Sequence, residues 1–374
     1  VSGTDPIDIS SSSQYPGKLY DAIEINTGLL VFGEKQQFLL ATDSDILNPE
    51  TARLSNIASY NYNKKVPPFS LGTVAGFLDN AGTNSRFFVM SNVAREGEPN
   101  VNELSKIVST KLDNGINLVC NSRENGIVLF GKRGEGKICV YKYFNVPDRQ
   151  LQSSWVSWSF TESFKYMCAI GDSIYIINKD QYLQKIDLVE DDSSPKFTNG
   201  TAPNIRSQSS IYLDNYVVIN GSEGTYDSAT DKTTFDFSNI AGFNDFSAQY
   251  SSNGPGSYID IAHVDSGLYK MGAVVYDNDG RTLEVVGNWT SGQVVAGNLI
   301  IMSIELPTFF VQKQEGDRTI NETRGSLVIH RVKTFTTGVG EFNISIQRGS
   351  SEKSHFFEFV NPGLYDQYQL GDIR

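Results

Sequence analysis

Cysteine, histidine, tryptophan and methionine are scarce in this chain, and each scarcity closes off a kind of chemistry. Among 374 residues there are only three Cys, three His, three Trp and four Met. Cys120, Cys139 and Cys168 show no C-x-x-C spacing, so the sequence spells neither a zinc knuckle nor a dithiol redox pair. They are expected to be free, buried thiols. Cys120 and Cys139 fall in segments that read as strands of one meander, which makes them candidates to lie close together. His263, His330 and His355 are scattered and form no ligand cluster. Neither H-E-x-x-H nor G-x-S-x-G occurs. No apolar run approaches the ~18 residues of a membrane span, and no signal-like segment opens the chain. The first residue is Val1 rather than Met, as in a processed chain or a part of a longer product. Positive charge is also in deficit: 31 Lys and Arg stand against 43 Asp and Glu, a net charge of -12. A domain that wraps nucleic acid normally carries a basic stripe, because phosphate neutralisation supplies much of the affinity. No such stripe is visible along the sequence.

What the chain has in quantity is aromatic and turn-forming residues: 22 Phe, 18 Tyr and 33 Gly, with 39% hydrophobic residues. This is globular composition tilted towards β structure, in a chain long enough for two or three domains and for a core without metals or disulfides. Short apolar runs recur between Gly, Asn and Asp. Residues 22–26, 28–32 and 37–41 read as three strands joined by tight turns. Residues 116–120, 126–130 and 137–144 repeat the arrangement, and 164–170, 173–178 and 182–188 repeat it again. In the 137–144 segment, Ile138 and Val140 share one face with Lys142, and Cys139, Tyr141 and Tyr143 share the other. A strand apolar on most of both faces is buried within a sheet or between layers.

The central strands of the three runs align Leu30 with Ile127 and Ile174, separated by 97 and 47 residues. These are close to two units and one unit of a single period, and a four-stranded propeller blade takes ~40–50 residues. A missing unit is expected near 77–112, with a strand at 87–90. Residues 101–112 read as a short helix, with Leu104, Ile107 and Val108 at helical spacing. The expected fold is all-β. A propeller-like domain at 1–189 is followed by an irregular β insertion at 190–257, with its clearest strand at 211–220. A second β domain at 258–374, a sandwich or small barrel that continues beyond the chain end, completes it. Its best hairpin joins 272–276 to 282–287 through Asp277 to Gly280, since Asp-Gly suits the left-handed backbone of such turns. Further strands are expected at 297–304, 326–334 and 340–347.

Candidate chemistry is thin. The segment 131–137, GKRGEGK, superficially resembles a phosphate-binding loop, but Ile138 follows where Ser or Thr is required, and a strand follows where a helix is required. It is read as a hairpin turn. Asp277, Asn278, Asp279 and Gly280 match part of a calcium loop without its closing bidentate Glu, and are read as turn chemistry. Residues 228–235, SATDKTTF, narrowly miss the Asp-box turn of sialidase-type propellers, lacking its glycine and carrying Asp231 one place late. Trp155, Trp158 and Trp289 have the shape to stack on sugars but fit core or interface anchors better. No catalytic, cofactor-binding or metal-binding residue is assigned, and no cofactor is expected.

One stretch carries a family resemblance. KICVYKYF at 137–144, QSSWVSWSF at 152–160 and DSIYII at 172–177 are similar to the tail tubular protein B, or nozzle, family of short-tailed phages. LLVF at 29–32 and QQFLL at 36–40 resemble that family's propeller start, and RGSLVIHRVKTF at 324–335 and GEFNISI at 340–346 fit it as well. The resemblance implies a structural subunit of the virion tail rather than an enzyme. It implies a hexameric ring below the adaptor ring (tail tubular protein A), in contact with tail fibres, whose lumen passes genomic DNA during ejection. It implies no membrane insertion by this segment. An acidic lining would let DNA glide. Family members usually continue past the position of 368–371, so further sequence is expected beyond Arg374. Two readings of other classes compete: a host-surface carbohydrate-binding adhesin, and a sialidase-like propeller hydrolase with converging carboxylates, since one β architecture hosts many functions.

Overall fold

The computed structural model describes residues 17–25, 28–42, 51–72, 74–80, 82–92, 99–146, 149–160, 162–189, 195–196, 211, 213–237, 259–264, 268–270, 274–275, 282–299, 302–306, 311–316, 318–322, 332–336, 341–347, 354–360 and 369–373. Two compact units divide the chain, Val1–Glu190 and Asp191–Arg374.

The first unit is a series of antiparallel meanders taken in chain order. Strands β1 (Leu19–Ile25), β2 (Gly28–Gly33), β3 (Gln37–Thr42) and β4 (Ala52–Ala58) form the first sheet. Strands β5 (Phe69–Ser70), β6 (Val74–Asp79), β7 (Arg86–Asn92) and β8 (Pro99–Glu103) form the second. Strands β9 (Leu118–Ser122), β10 (Ile127–Gly131), β11 (Lys137–Val146) and β12 (Arg149–Ser159) form the third. Strands β13 (Phe164–Ile170), β14 (Ser173–Asn178) and β15 (Leu183–Asp187) form a three-stranded fourth. The second strands start at residues 28, 74, 127 and 173, spacings of 46, 53 and 46. The unit missing from the sequence repeat is therefore present, and the strand expected at 87–90 is β7.

Side-chain alternation stacks these sheets face to face, because successive residues of a strand point to opposite faces. In β10 all five residues are buried. Val128 and Phe130 enter a core with Leu78 and Phe87 of the second sheet. Ile127 and Leu129 enter another with Phe164, Ile174 and Ile176 of the fourth. Strand β11 divides as its pattern requires, Cys139, Tyr141 and Tyr143 to the first of these cores and Ile138 and Val140 to the second. The second sheet is shared likewise: Ala75, Phe77, Phe88 and Met90 pack with Leu30, Phe32 and Leu39 of the first. None of these sheets closes on itself.

The helix expected at 101–112 does not form. Residues up to Glu103 belong to β8, where Val101 pairs with Met90, and only Lys106–Val108 make a 3-10 turn. The apolar spacing had a different use: Leu112 is fully buried while Ile107 is 95% exposed, so no helical face is covered. The Ser105 hydroxyl accepts the Phe87 N–H at 3.0 Å and ends the strand ladder there. Sheet pairing overrides a short helical pattern that lacks a second buried turn.

In the second unit, β16 (Leu213–Asn220) precedes β17 (Thr225–Asp227), β18 (Lys232–Asp236), β19 (Ile259–His263), β20 (Leu268–Lys270), β21 (Val274–Val275), β22 (Thr282–Val286) and β23 (Gln293–Leu299). They form two sheets, ordered β16-β23-β19-β20 and β17-β18-β22-β21. Ile219, Ile261, Val294 and Ala296 of one meet Phe235, Leu283 and Val285 of the other around Trp289. Strands from the 190–257 segment thus pair directly with strands after 258. The hairpin expected across Asp277 to Gly280 is seen as β21 against β22, its turn lying outside the described residues. Of the strand expected at 297–304, residues up to Leu299 belong to β23 and 300–301 lie outside the described residues; residues 302–306 run outside any strand, with Met302, Ile304 and Leu306 exposed. Three two-stranded pairs complete the unit: β24 (Val311–Glu315) with β25 (Arg318–Glu322), β26 (Val332–Thr336) with β29 (Gln369–Ile373), and β27 (Glu341–Gln347) with β28 (Ser354–Val360). Neither a closed barrel nor an α-helix occurs among the described residues, and no helix is long and apolar enough to cross a membrane.

Candidate functional site

One end of the first unit's stacked sheets is a surface of loops joined by hydrogen bonds. Up-and-down connectivity sends the turns after β2, β4, β6, β8, β10, β12 and β14 to this end. Backbone and side-chain hydrogen bonds link these loops to one another. Glu34 N–H donates to the Lys18 carbonyl (3.2 Å), and Tyr62 N–H to the Glu34 carbonyl (3.0 Å). The buried Asn63 side chain donates to the Ile116 carbonyl at 2.7 Å, and Ser85 Oγ donates to the Asp113 carbonyl at 2.9 Å. Arg133 N–H donates to Asn117 Oδ1 at 2.7 Å, its Nε–H to the Lys165 carbonyl at 3.1 Å, and its guanidinium lies over the Tyr166 ring. Lys179 N–H donates to the Ser163 carbonyl at 2.8 Å. The buried Asn63 amide and Ser85 hydroxyl are satisfied by neighbouring loops, which holds the loops in one arrangement. Burial, and then the hydrogen-bonded Asp21 carboxylate 2.7 Å away, push the Tyr62 phenol well above its ordinary range.

The segment 131–137 sits in this surface as the β10–β11 hairpin turn, as its sequence context required. Glu135 N–H donates to the Lys132 carbonyl, and the Lys132 ammonium reaches Glu135 at 3.1 Å. Gly134 takes φ +88 with open space around it. There is no helix behind this turn to bind phosphate with its N-terminus.

The remaining singled-out residues fall elsewhere. The 228–235 segment is the β17–β18 hairpin, organised by Asp227, which accepts from Ala229 N–H (2.9 Å) and Thr230 Oγ1 (2.8 Å). These bonds hold its carboxyl below the usual carboxylate range. Asp231 adopts φ 52 and accepts from the Tyr226 hydroxyl, so the segment is turn chemistry. Trp289 is 2% exposed in the second unit's core, and Trp155 and Trp158 pack against two cores of the first. All three are anchors. His263 is buried beside Trp289 with its Nε2 2.6 Å from the Ser291 carbonyl. His355 lies in β28, and His330 lies outside the described residues. Among the described residues no group of His, Cys, Asp or Glu is placed to hold a metal.

The cysteines depart from expectation twice. All three are free, but Cys168 is exposed. Cys120 and Cys139 share a sheet yet are separated by β10, where Leu129 pairs with Cys120 and Phe130 with Cys139. They point to opposite cores. Burial pushes the Cys120 thiol up to about 12 and the Cys139 thiol up to about 11. A thiol-specific chromogenic reagent at pH 8 is therefore expected to titrate one thiol per chain at once and the other two only on unfolding; two fast thiols would contradict the packing. Both thiols keep their protons in the folded state above their unfolded value of 9.0. Their contribution to stability is thus intact below that pH and lost as pH rises through about 11 to 12.

The family described as bacteriophage nozzle protein matches residues 1–372. Tail tubular protein gp12 of Escherichia phage T7 is 22% identical over 358 residues, which cover 94% of this chain and 43% of that protein. The chain thus spans less than half the length of this relative. Among solved structures, Kluyveromyces lactis Hsv2 (complete loop 6CD) is 10% identical at a TM-score of 0.20, over 59% of this chain and 70% of that one. A score that low informs neither fold nor function.

Proposed function

The chain belongs to the bacteriophage nozzle protein family, and from that premise we propose that it is a structural subunit of a tail nozzle, forming with further copies a ring-shaped conduit for DNA. A structural place in the virion tail follows from the family and from its phage T7 relative. The finer reading is a homo-hexamer seated on an adaptor ring, in contact with tail fibres and traversed transiently by the genome during ejection. Its role is mechanical rather than enzymatic.

The observation that carries it is the match of a nozzle family over essentially the whole chain. The architecture is of a kind that suits the role. Four meanders stacked in chain order, with buried residues on both faces of the inner sheets, are blades of the propeller that we assign to the first unit. Such a body is rigid because each inner strand is locked from two sides, and rigidity is what a pressure-bearing tube wall requires. The second unit provides a further β platform.

The test is the mass and shape of the chain in solution and beside its tail adaptor, by native mass spectrometry and negative-stain microscopy. A six-fold ring with a central hole, alone or on the adaptor, is the expected result. A strict monomer that joins no ring, even in the full-length protein, would overturn the reading and favour a monomeric adhesin or a glycan hydrolase.

A further inference from the structure

The net charge of -12 hides a segregation that the sheet topology creates. The loops at the knitted end of the first unit are 17–18, 34–36, 59–68, 80–85, 104–117, 132–136, 160–163 and 179–182. They carry nine Lys and Arg against five Asp and Glu, a formal +4. Lys18, Lys35, Lys64 and Lys65 stand exposed over the first two sheets, and Lys106 and Lys111 stand exposed on the connection between the second and third. Arg133 and Lys179 are exposed at the third and fourth. Three of the five acids there already face a cation: Asp113 with Lys137, Glu135 with Lys132, and Asp180 with Lys179. None of Lys18, Lys35, Lys65, Lys106 and Lys111 forms an ion pair with a described carboxylate. An acidic protein thus presents one basic end, held in place by its own hydrogen-bonded loops.

We propose that this loop end is a weak, sequence-independent binding surface for the phosphate backbone of DNA. The composition of the surface selects that partner over an acidic protein. Protein interfaces are depleted in Lys and built on buried aromatic and Arg anchors. Here the available cations are lysines on flexible stems, and the one Arg is committed to a carbonyl and the Tyr166 ring. Lysines of this kind act as hydrated point charges, suited to neutralising phosphates without reading bases. Sheets stacked about 10 Å apart put the loops of four sheets across roughly 30 Å, and a duplex offers a charge every ~1.7 Å along its axis. Several phosphates can then be met at once. Contacts of this strength let a strand slide rather than stop. The inference rests on the nozzle reading only for its biological setting, since the binding itself is a property of the first unit.

The test is fluorescence anisotropy of the purified chain with labelled 20-base-pair duplexes of two unrelated sequences. Both are expected to bind equally, and with about four phosphates engaged the affinity falls about a hundredfold between 50 and 200 mM salt. Combining Lys35→Glu, Lys65→Glu and Lys106→Glu is expected to weaken binding at least tenfold and flatten the salt slope. The matched set Arg53→Glu, Arg123→Glu and Lys142→Glu, exposed residues of the first unit away from this end, is expected to leave binding within a factor of two or three. Circular dichroism confirms that each set folds. No binding at 50 mM salt, equal loss in the two sets, or binding to polyglutamate but not to DNA would overturn the proposal. Ring assembly, scored on the same preparations, separates the two readings. Rings without DNA binding sink this inference and leave the nozzle standing, and DNA binding without rings does the reverse.

Discussion

Phe87→Ala is expected to destabilise the first unit by about 3–5 kcal/mol, the range for emptying a well-packed aromatic site. Phe87 is fully buried where the second and third sheets meet. Its ring lies 5.0 Å from that of Phe130, 5.7 Å from Tyr141, 5.8 Å from Phe69 and 6.3 Å from Trp155. Removing it opens a void bounded by rigid rings in two sheets, which cannot collapse without breaking strand register. The neighbouring Trp155 provides the readout, as its emission should shift at a lower urea concentration in the variant. Phe144→Ala is the comparison, since Phe144 is 57% exposed and its loss is expected to fall within about 0.5 kcal/mol. A Phe87 variant less than about 1 kcal/mol weaker than the parent would mean that the sheets do not share this core.

The second large effect is expected in the other unit, from Gly221→Val. Gly221 is buried, donates its N–H to the Gly292 carbonyl at 2.8 Å, and accepts from Gly224 N–H. A Cβ there would lie 2.4 Å from the Trp289 carbonyl oxygen and 2.5 Å from that of Ser291. Both obstacles are backbone, so no rotamer change relieves them, and a loss of about 3 kcal/mol is expected, the upper part of the overpacking range. Gly134→Ala isolates the conformational contribution alone. That glycine has φ +88, and nothing lies within 4 Å of the point where a methyl group would stand, so about 1–2 kcal/mol is expected from backbone strain. Hydrogen exchange of peptides covering β16 and β23 reads the first variant directly. Unchanged protection there would show that the β16 end does not depend on this close approach.

Much of the fold was legible along the chain because strand chemistry is local. Alternation in 137–144 placed Cys139, Tyr141 and Tyr143 on one face and Ile138 and Val140 on the other, and the two cores receive them in that division. The repeat spacing anticipated a unit near 77–112, where β6, β7 and β8 lie. The hairpin reading of 131–137 followed from Ile138 and from the strand pattern after it, since a strand cannot offer phosphate the amides of a helix start. Where the reading failed, the deciding contact was remote in sequence. Residues 101–112 have a helical pattern, but Val101 is drawn into pairing with Met90 and Ser105 caps the ladder at Phe87. Cys120 and Cys139 look adjacent in a meander, yet an intervening strand and opposite pleats send them to different cores.

By itself, then, the sequence determined the all-β class, most of the strand positions, the faces of the inner strands and the kinship with nozzle proteins, because periodicity, turn residues and short motifs all act over a few residues. Tertiary structure alone decided which sheets share a core, that Cys168 is exposed, and that an acidic chain gathers lysines at one end. Charge summed along a chain is blind to topology. It is the up-and-down connection of the strands that sends alternate loops to the same end, where positive residues distant in sequence meet.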